Sequence, residues 1–150
     1  MWNCNTKKMT TKREKILAQL FKVLDNISVT TNINVYRSRV VPLSRGEVPA
    51  IVIEPVSDTV EQNTSLPTLD HSLTVRVSVI VRGDIPDQQA DEVVELLHKT
   101  IMADLTVNSN AIDLQPSDTT FELLDADQPG GVIDIQYIVR YRTEIDDLTQ

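Results

Sequence analysis

The chain has a single cysteine, Cys4, in 150 residues. No disulfide framework can form within it, which fits a reducing compartment. Aromatic residues make up only 4% of the sequence, so an extensive polar surface is expected. No apolar run approaches the roughly 20 residues that cross a bilayer as a helix. The first residues are basic but no apolar stretch follows them, so no secretory signal is read there. Basic residues are outnumbered, 14 against 22 acidic, for a net charge of −8. That balance excludes generic binding to duplex DNA, which needs Lys and Arg to neutralise phosphates. There is no HExxH, no CxxC, no GxSxG elbow, no P-loop and no GxGxxG. Each of those patterns places donors or nucleophiles at a spacing its chemistry requires. Gly130-Gly131 follows Pro129 and reads as a turn. No catalytic, cofactor-binding or metal-ligating residue is therefore expected, and no enzyme.

What the chain does have is alternation. From Leu69 to Arg82 the sequence LDHSLTVRVSVIVR sets Leu69, Leu73, Val75, Val77, Val79 and Val81 on one parity. Asp70, Ser72, Thr74, Arg76, Ser78 and Arg82 take the other. Successive side chains of a strand point to opposite faces, so this is a strand with one apolar and one wet side. At about 3.3 Å per residue it runs roughly 46 Å, far beyond an ordinary strand. Such a length points to a protein that meets other subunits.

Around this strand the periodicity predicts one α+β domain over residues 9–150. Residues 1–8 are expected to be a disordered extension. Thr11 and Glu14 fit a capping box ahead of a helix over 12–26, with Ile16, Leu17, Leu20, Phe21, Leu24 and Ile27 as its stripe. Strands follow at 35–41 and 49–56, joined by a turn holding Gly46. A polar segment, Ser57–Thr68, is expected as a loop. After the long strand a second helix carries Ala90, Val94, Leu97, Ile101 and Leu105 on its stripe. Strands are then read at 111–115, 119–124 and 132–143. The order is α-β-β-β-α-β-β-β: a mainly antiparallel sheet with both amphipathic helices on one face.

The polar side chains are weighed one by one. His71 interrupts the apolar parity of the long strand, and a hydrogen-bonded structural histidine is the plainer reading than a ligand. His98 reads as surface. The acidic pairs Asp91/Glu95, Asp125/Asp127 and Asp146/Asp147 read as solvated charge, because acid–base pairs need a pocket that splits their pKa values. Six of the eight arginines fall on predicted strands: Arg37, Arg39, Arg76, Arg82, Arg140 and Arg142. Arginine forms planar bidentate pairs with carboxylates. Two readings stand: a solvated face that protects sheet edges, or a face that meets carboxylates of a neighbouring subunit.

The stretches VYRSRVVPLSRGEVPAIVIEP, LDHSLTVRVSVIVRGDIPDQQADEVVELLHKTIMADL and ADQPGGVIDIQYIVRYRT, with the leading helix MTTKREKILAQLFKVL, resemble the phage tail terminator proteins (the minor tail protein U group of long-tailed phages). The resemblance spans 9–150. It implies a small, non-enzymatic α+β virion protein at the head-proximal end of the tail, assembled in the host cytoplasm. It further implies a homohexameric ring that caps the tail tube and stops polymerisation of the major tail tube protein. The ring would offer a docking surface to head–neck connector proteins and, in contractile tails, to the sheath protein. The family's assembly loop corresponds in position to Ser57–Thr68, which makes Asp58, Glu61, Asn63 and Leu66 its candidates. No cofactor, membrane contact or specific nucleic-acid binding is implied. Two other readings remain: a head–tail connector or neck completion protein, and a small-ligand or RNA-binding α+β domain. The last would need strand aromatics exposed for stacking; the strand aromatics are Tyr36, Phe121, Tyr137 and Tyr141, and Tyr137 and Tyr141 fall on an apolar parity.

Overall fold

The computed structural model describes residues 10–39, 49–124 and 129–150. The expected extension over 1–8, the turn at Gly46 and the Asp125/Asp127 pair lie outside the described residues.

Helix α1 spans Lys12–Thr30. The Thr11 hydroxyl caps it by accepting from the Glu14 amide at 3.2 Å. It outruns its expected end because Ile27 is buried and belongs to the stripe, and the turn closes only when Thr31 Oγ1 donates to the Ile27 carbonyl at 2.7 Å. Strands β1 (Asn34–Arg37), β2 (Ala50–Glu61) and β3 (Thr68–Arg82) follow, then helix α2 (Pro86–Met102) and strands β4 (Asp113–Leu124) and β5 (Gly130–Glu144). The five strands form one sheet in the order β1-β2-β3-β5-β4. Only the β1–β2 pair is parallel. The α+β architecture with two helices on a mainly antiparallel sheet is thus present, with five strands among the described residues where six are expected.

The missing strand and the shortened loop have one cause. Strand β2 pairs with β3 through Glu61, with a bulge between Pro55 and Ser57. Strand β4 pairs with β5 along its length, with a bulge between Pro116 and Thr119. A bulge inserts one extra residue and moves the apolar parity to the other register. The core side of β2 therefore carries Ile51 and Ile53 before the bulge but Asp58 and Val60 after it. That phase change breaks the alternation in the sequence. Ser57–Thr68 looks like a loop and β4 looks like two fragments for this reason. Asp58 and Glu61 stand in β2, and only residues 62–67 connect the strands.

The core lies between one sheet face and both helices. Ile16, Leu20 and Leu24 of α1 and Ala90, Leu97 and Ile101 of α2 meet Ile53, Val77, Val79, Ile135 and Tyr137. Helix α1 packs over β1 and β2, and α2 over β3, β5 and β4. Of the two adjacent valines of α2, Val93 is the buried one and Val94 is only partly covered. Leu105 lies beyond the helix and is exposed, because the chain turns away at Val107, Asn108 and Ser109, all at positive φ. Such a conformation is strained for a β-branched residue. The Asp104 carboxylate holds it by accepting from the amides of Thr106 at 3.1 Å and Asn108 at 2.7 Å. Chiefly the Asn108 bond pulls the Asp104 carboxyl below its ordinary range.

The start of α2 rests on β5. A methyl group built at Gly131 would come 2.7 Å from Pro86 Cβ, so only a glycine lets the helix approach. Gly131→Ala is expected to cost about 1–3 kcal/mol by overpacking, measured by urea denaturation. An unchanged midpoint would show that the helix start shifts freely.

Candidate assembly surfaces

The post-bulge phase of β2 sends Asp58 to the core side, opposite Leu73 and beside the His71–Tyr141 pair of β3 and β5. There it becomes the centre of a polar knot. Asp58 Oδ1 lies 3.2 Å from His71 Nδ1. The Tyr141 hydroxyl donates to Asp58 Oδ2, and Arg13 Nη1 donates to the same oxygen at 3.3 Å. His71 Nε2 lies 2.8 Å from Thr143 Oγ1. The His71 and Tyr141 rings stack with centroids 4.3 Å apart. His71, Tyr141 and Thr143 are buried, and the Asp58 side chain keeps only 9% of its surface. Burial first, then the bond to Asp58, drives the Tyr141 phenol far above its ordinary pKa.

Asp58, His71 and Thr143 are linked in the order carboxylate, imidazole, hydroxyl, an arrangement that activates nucleophiles in hydrolases. Here Thr143 is 2% exposed, and neither cavity beside His71 is lined by it. A substrate carbonyl has no approach to its hydroxyl, so the geometry supports a structural link between strands and α1. Among the described residues no group of three or more His, Cys, Asp or Glu is placed to hold a metal ion.

His98 is joined to the core through its Nδ1, 2.9 Å from the Tyr137 hydroxyl. Burial pushes the Tyr137 phenol up to about 12 from its ordinary value of 10.0. A folded-state pKa above the unfolded one leaves stability intact below about pH 10 and removes it as pH climbs through about 12. The urea midpoint is expected to fall across that window, and Tyr137→Phe to lessen the fall. A midpoint constant across the window would contradict the buried phenol.

The six strand arginines divide by partner. Arg37 makes a bidentate pair with Glu14 of α1, at 2.8 and 2.5 Å, and this bond chiefly raises the already high Arg37 pKa. Arg76 reaches Glu54 across β2–β3 at 3.2 Å. Arg142 reaches Asp70 across β3–β5 at 2.7 Å, a bond that holds the Asp70 carboxyl below its usual range. Arg39 lies past the end of β1 with its guanidinium 4.6 Å from the Tyr36 ring centroid. Arg82 and Arg140 are exposed, on the sheet face that carries no helix. Arg37, Arg76 and Arg142 thus hold carboxylates of their own chain among the described residues.

The structure also brings candidates together. Glu61, Asn63, Arg140 and Arg142 line one hollow of about 350 Å³ at the far end of the sheet, with Asp70 and Ile112. Asn63 Nδ2 donates to Asp70 there at 3.2 Å. Leu66 sits in the connection beside it, 62% exposed. The β2–β3 tip and the end of β5 thus form one mixed-charge surface with an apolar residue at its crest. Asp58 is not part of that surface, because it points into the knot. The sequence carries one trace of the knot: His71, a polar residue on an apolar parity.

A scan against protein-family models finds no match, and no curated protein matches. Among solved structures, the chain is similar to a chain of the virion of a native gene transfer agent particle. The identity is 13%, the match covers 85% of this chain and 92% of that chain, and the TM-score is 0.46.

Proposed function

We propose that the protein is a non-enzymatic structural virion protein, a tail terminator that assembles into a homohexameric ring on the tail tube. The single observation that supports this most is the shape of the sheet. Strands β3 and β5 run 15 residues each and β2 and β4 run 12, yet helices cover only one face. Long strands with an open polar face suit a subunit completed by its neighbours, since an isolated domain needs no such surplus. The resemblance of residues 9–150 to tail terminators supplies the specific role. On this reading the β2–β3 tip, with Glu61, Asn63 and Leu66, meets the tube or the adjoining subunit. Its partners are the major tail tube protein, head–neck connector proteins and, in a contractile tail, the sheath protein. The ring sits at the head-proximal end of the tail.

Particles made without this protein test the reading. Abnormally long, headless tubes in electron micrographs are the expected result. Normal-length tails beside loose, filled heads would overturn termination and favour a connector.

A further inference from the structure

The charge of the chain is divided along the sheet, from one edge to the other. Residues 10–39, which build α1 and β1, contain six basic and two acidic side chains. Residues 84–124, which build α2 and β4, contain nine acidic side chains and one basic, Lys99. Strands β1 and β4 are the two opposite edges of the sheet, with α1 packed over the first and α2 over strands nearer the second. On the α1/β1 side Arg13 and Arg37 are already paired with Asp58 and Glu14, so its basic excess is modest and carried chiefly by the lysines of α1, whereas the other side is strongly acidic. None of the nine acidic side chains forms an ion pair with a described residue.

Strand β4 is also unfinished. Among the described residues it pairs with β5 alone, and on its outer stretch Phe121 and Leu123 are 66% and 69% exposed. An aromatic and an aliphatic side chain left bare on a long edge strand mark a contact surface. Two β4 edges serve each other poorly: paired antiparallel across a two-fold axis they would bring Asp113, Asp118 and Glu122 of both copies onto one seam, and like charges opposed across strands destabilise the pair. Pro116 and its bulge further spoil a continuous ladder. The α1 side offers the opposite charge, with Lys15 and Lys22 exposed and Val29 81% exposed at the end of the helix.

We infer that copies of this chain associate head to tail, the acidic β4/α2 side of one subunit against the basic α1/β1 side of the next. A heterologous contact of this kind repeats until it closes into a ring. The inference rests on the ring of the proposed function and assigns its two contacting sides. Electrostatic complementarity sets the register and rejects the two-fold alternative.

Charge reversal tests it in solution with the full chain. Asp118→Lys/Glu122→Lys puts two lysines on the β4 edge and takes residues 84–124 from nine acidic and one basic to seven acidic and three basic, and Lys15→Glu/Lys22→Glu takes residues 10–39 from six basic and two acidic to four of each. All four positions are exposed, and unchanged circular dichroism and melting temperature check the fold. By analytical ultracentrifugation the wild-type chain is expected to associate at low salt and to dissociate as salt rises. Each variant alone should associate at least roughly tenfold more weakly. An equimolar mixture should restore assembly, and native mass spectrometry should then show equal numbers of the two variants. A wild-type chain that stays monomeric at low salt would overturn the inference, as would variants that assemble like wild type or a mixture that fails to recover. Wild-type rings indifferent to reversal would remove this assignment of sides and leave the terminator reading standing. Normal-length tails without the protein would remove the terminator reading and leave the contact measurable.

Discussion

Asp58→Ala unfolds with about 3–5 kcal/mol less free energy than the wild-type chain, the cost of removing one partner from a buried charged network. The carboxylate is the acceptor at the centre of the knot, facing His71 Nδ1, the Tyr141 hydroxyl and Arg13. With an alanine there, the Tyr141 hydroxyl and His71 Nδ1 are left buried without that acceptor, and each unsatisfied group costs about 1–3 kcal/mol. Arg13 contributes little, because it is 46% exposed and water replaces its partner. Arg13→Ala should therefore cost about 1 kcal/mol or less. Urea denaturation of the two variants checks both numbers, with a constant slope as the sign that the unfolded state is unaffected. Equal losses in the two would show that the knot is stabilised from its solvent side and not by burial.

Leu97→Ala is expected to cost about 2–5 kcal/mol, from lost transfer free energy plus the cavity left behind. Leu97 is 0% exposed at the middle of α2, in the same core cluster as Tyr137 and Val79. Its neighbour Leu96 supplies the internal comparison. That residue is 36% exposed, and the same substitution changes helix propensity by the same amount. Leu96→Ala should cost well under half as much, so the difference between the variants isolates burial. Thermal unfolding followed by circular dichroism reads both. Similar melting temperatures would mean that α2 is held by its own helicity and not by the sheet.

Much of this architecture was legible without coordinates. The period of α1 identified all five of its buried residues: Ile16, Leu17, Leu20, Leu24 and Ile27. The alternation of residues 69–82 placed β3 to within one residue of its start, since the strand runs Thr68–Arg82. Both tyrosines of β5 were assignable to the core by parity, and they are 1% and 2% exposed. The candidate surface was less visible. Arginines on strands could be counted, but which of them hold a carboxylate in their own chain depends on register. Arg76 meets Glu54, and Arg142 meets Asp70, only because those residues stand directly opposite one another. Arg37 meets Glu14 because α1 crosses β1.

By itself, the sequence determined the elements whose hydrophobic period stays unbroken: two amphipathic helices, the long central strands and the absence of a disulfide framework. Local periodicity suffices there, because each residue's face follows from its distance to the next apolar neighbour. The tertiary structure alone decided where that period slips. Two bulges changed the phase of β2 and β4, turned the first five residues of an expected loop into strand and carried Asp58 from the surface into a buried knot with His71 and Tyr141. It also decided that the basic and acidic stretches of the chain lie toward opposite edges of one sheet. Strand order is set by long-range pairing, and no local pattern encodes it.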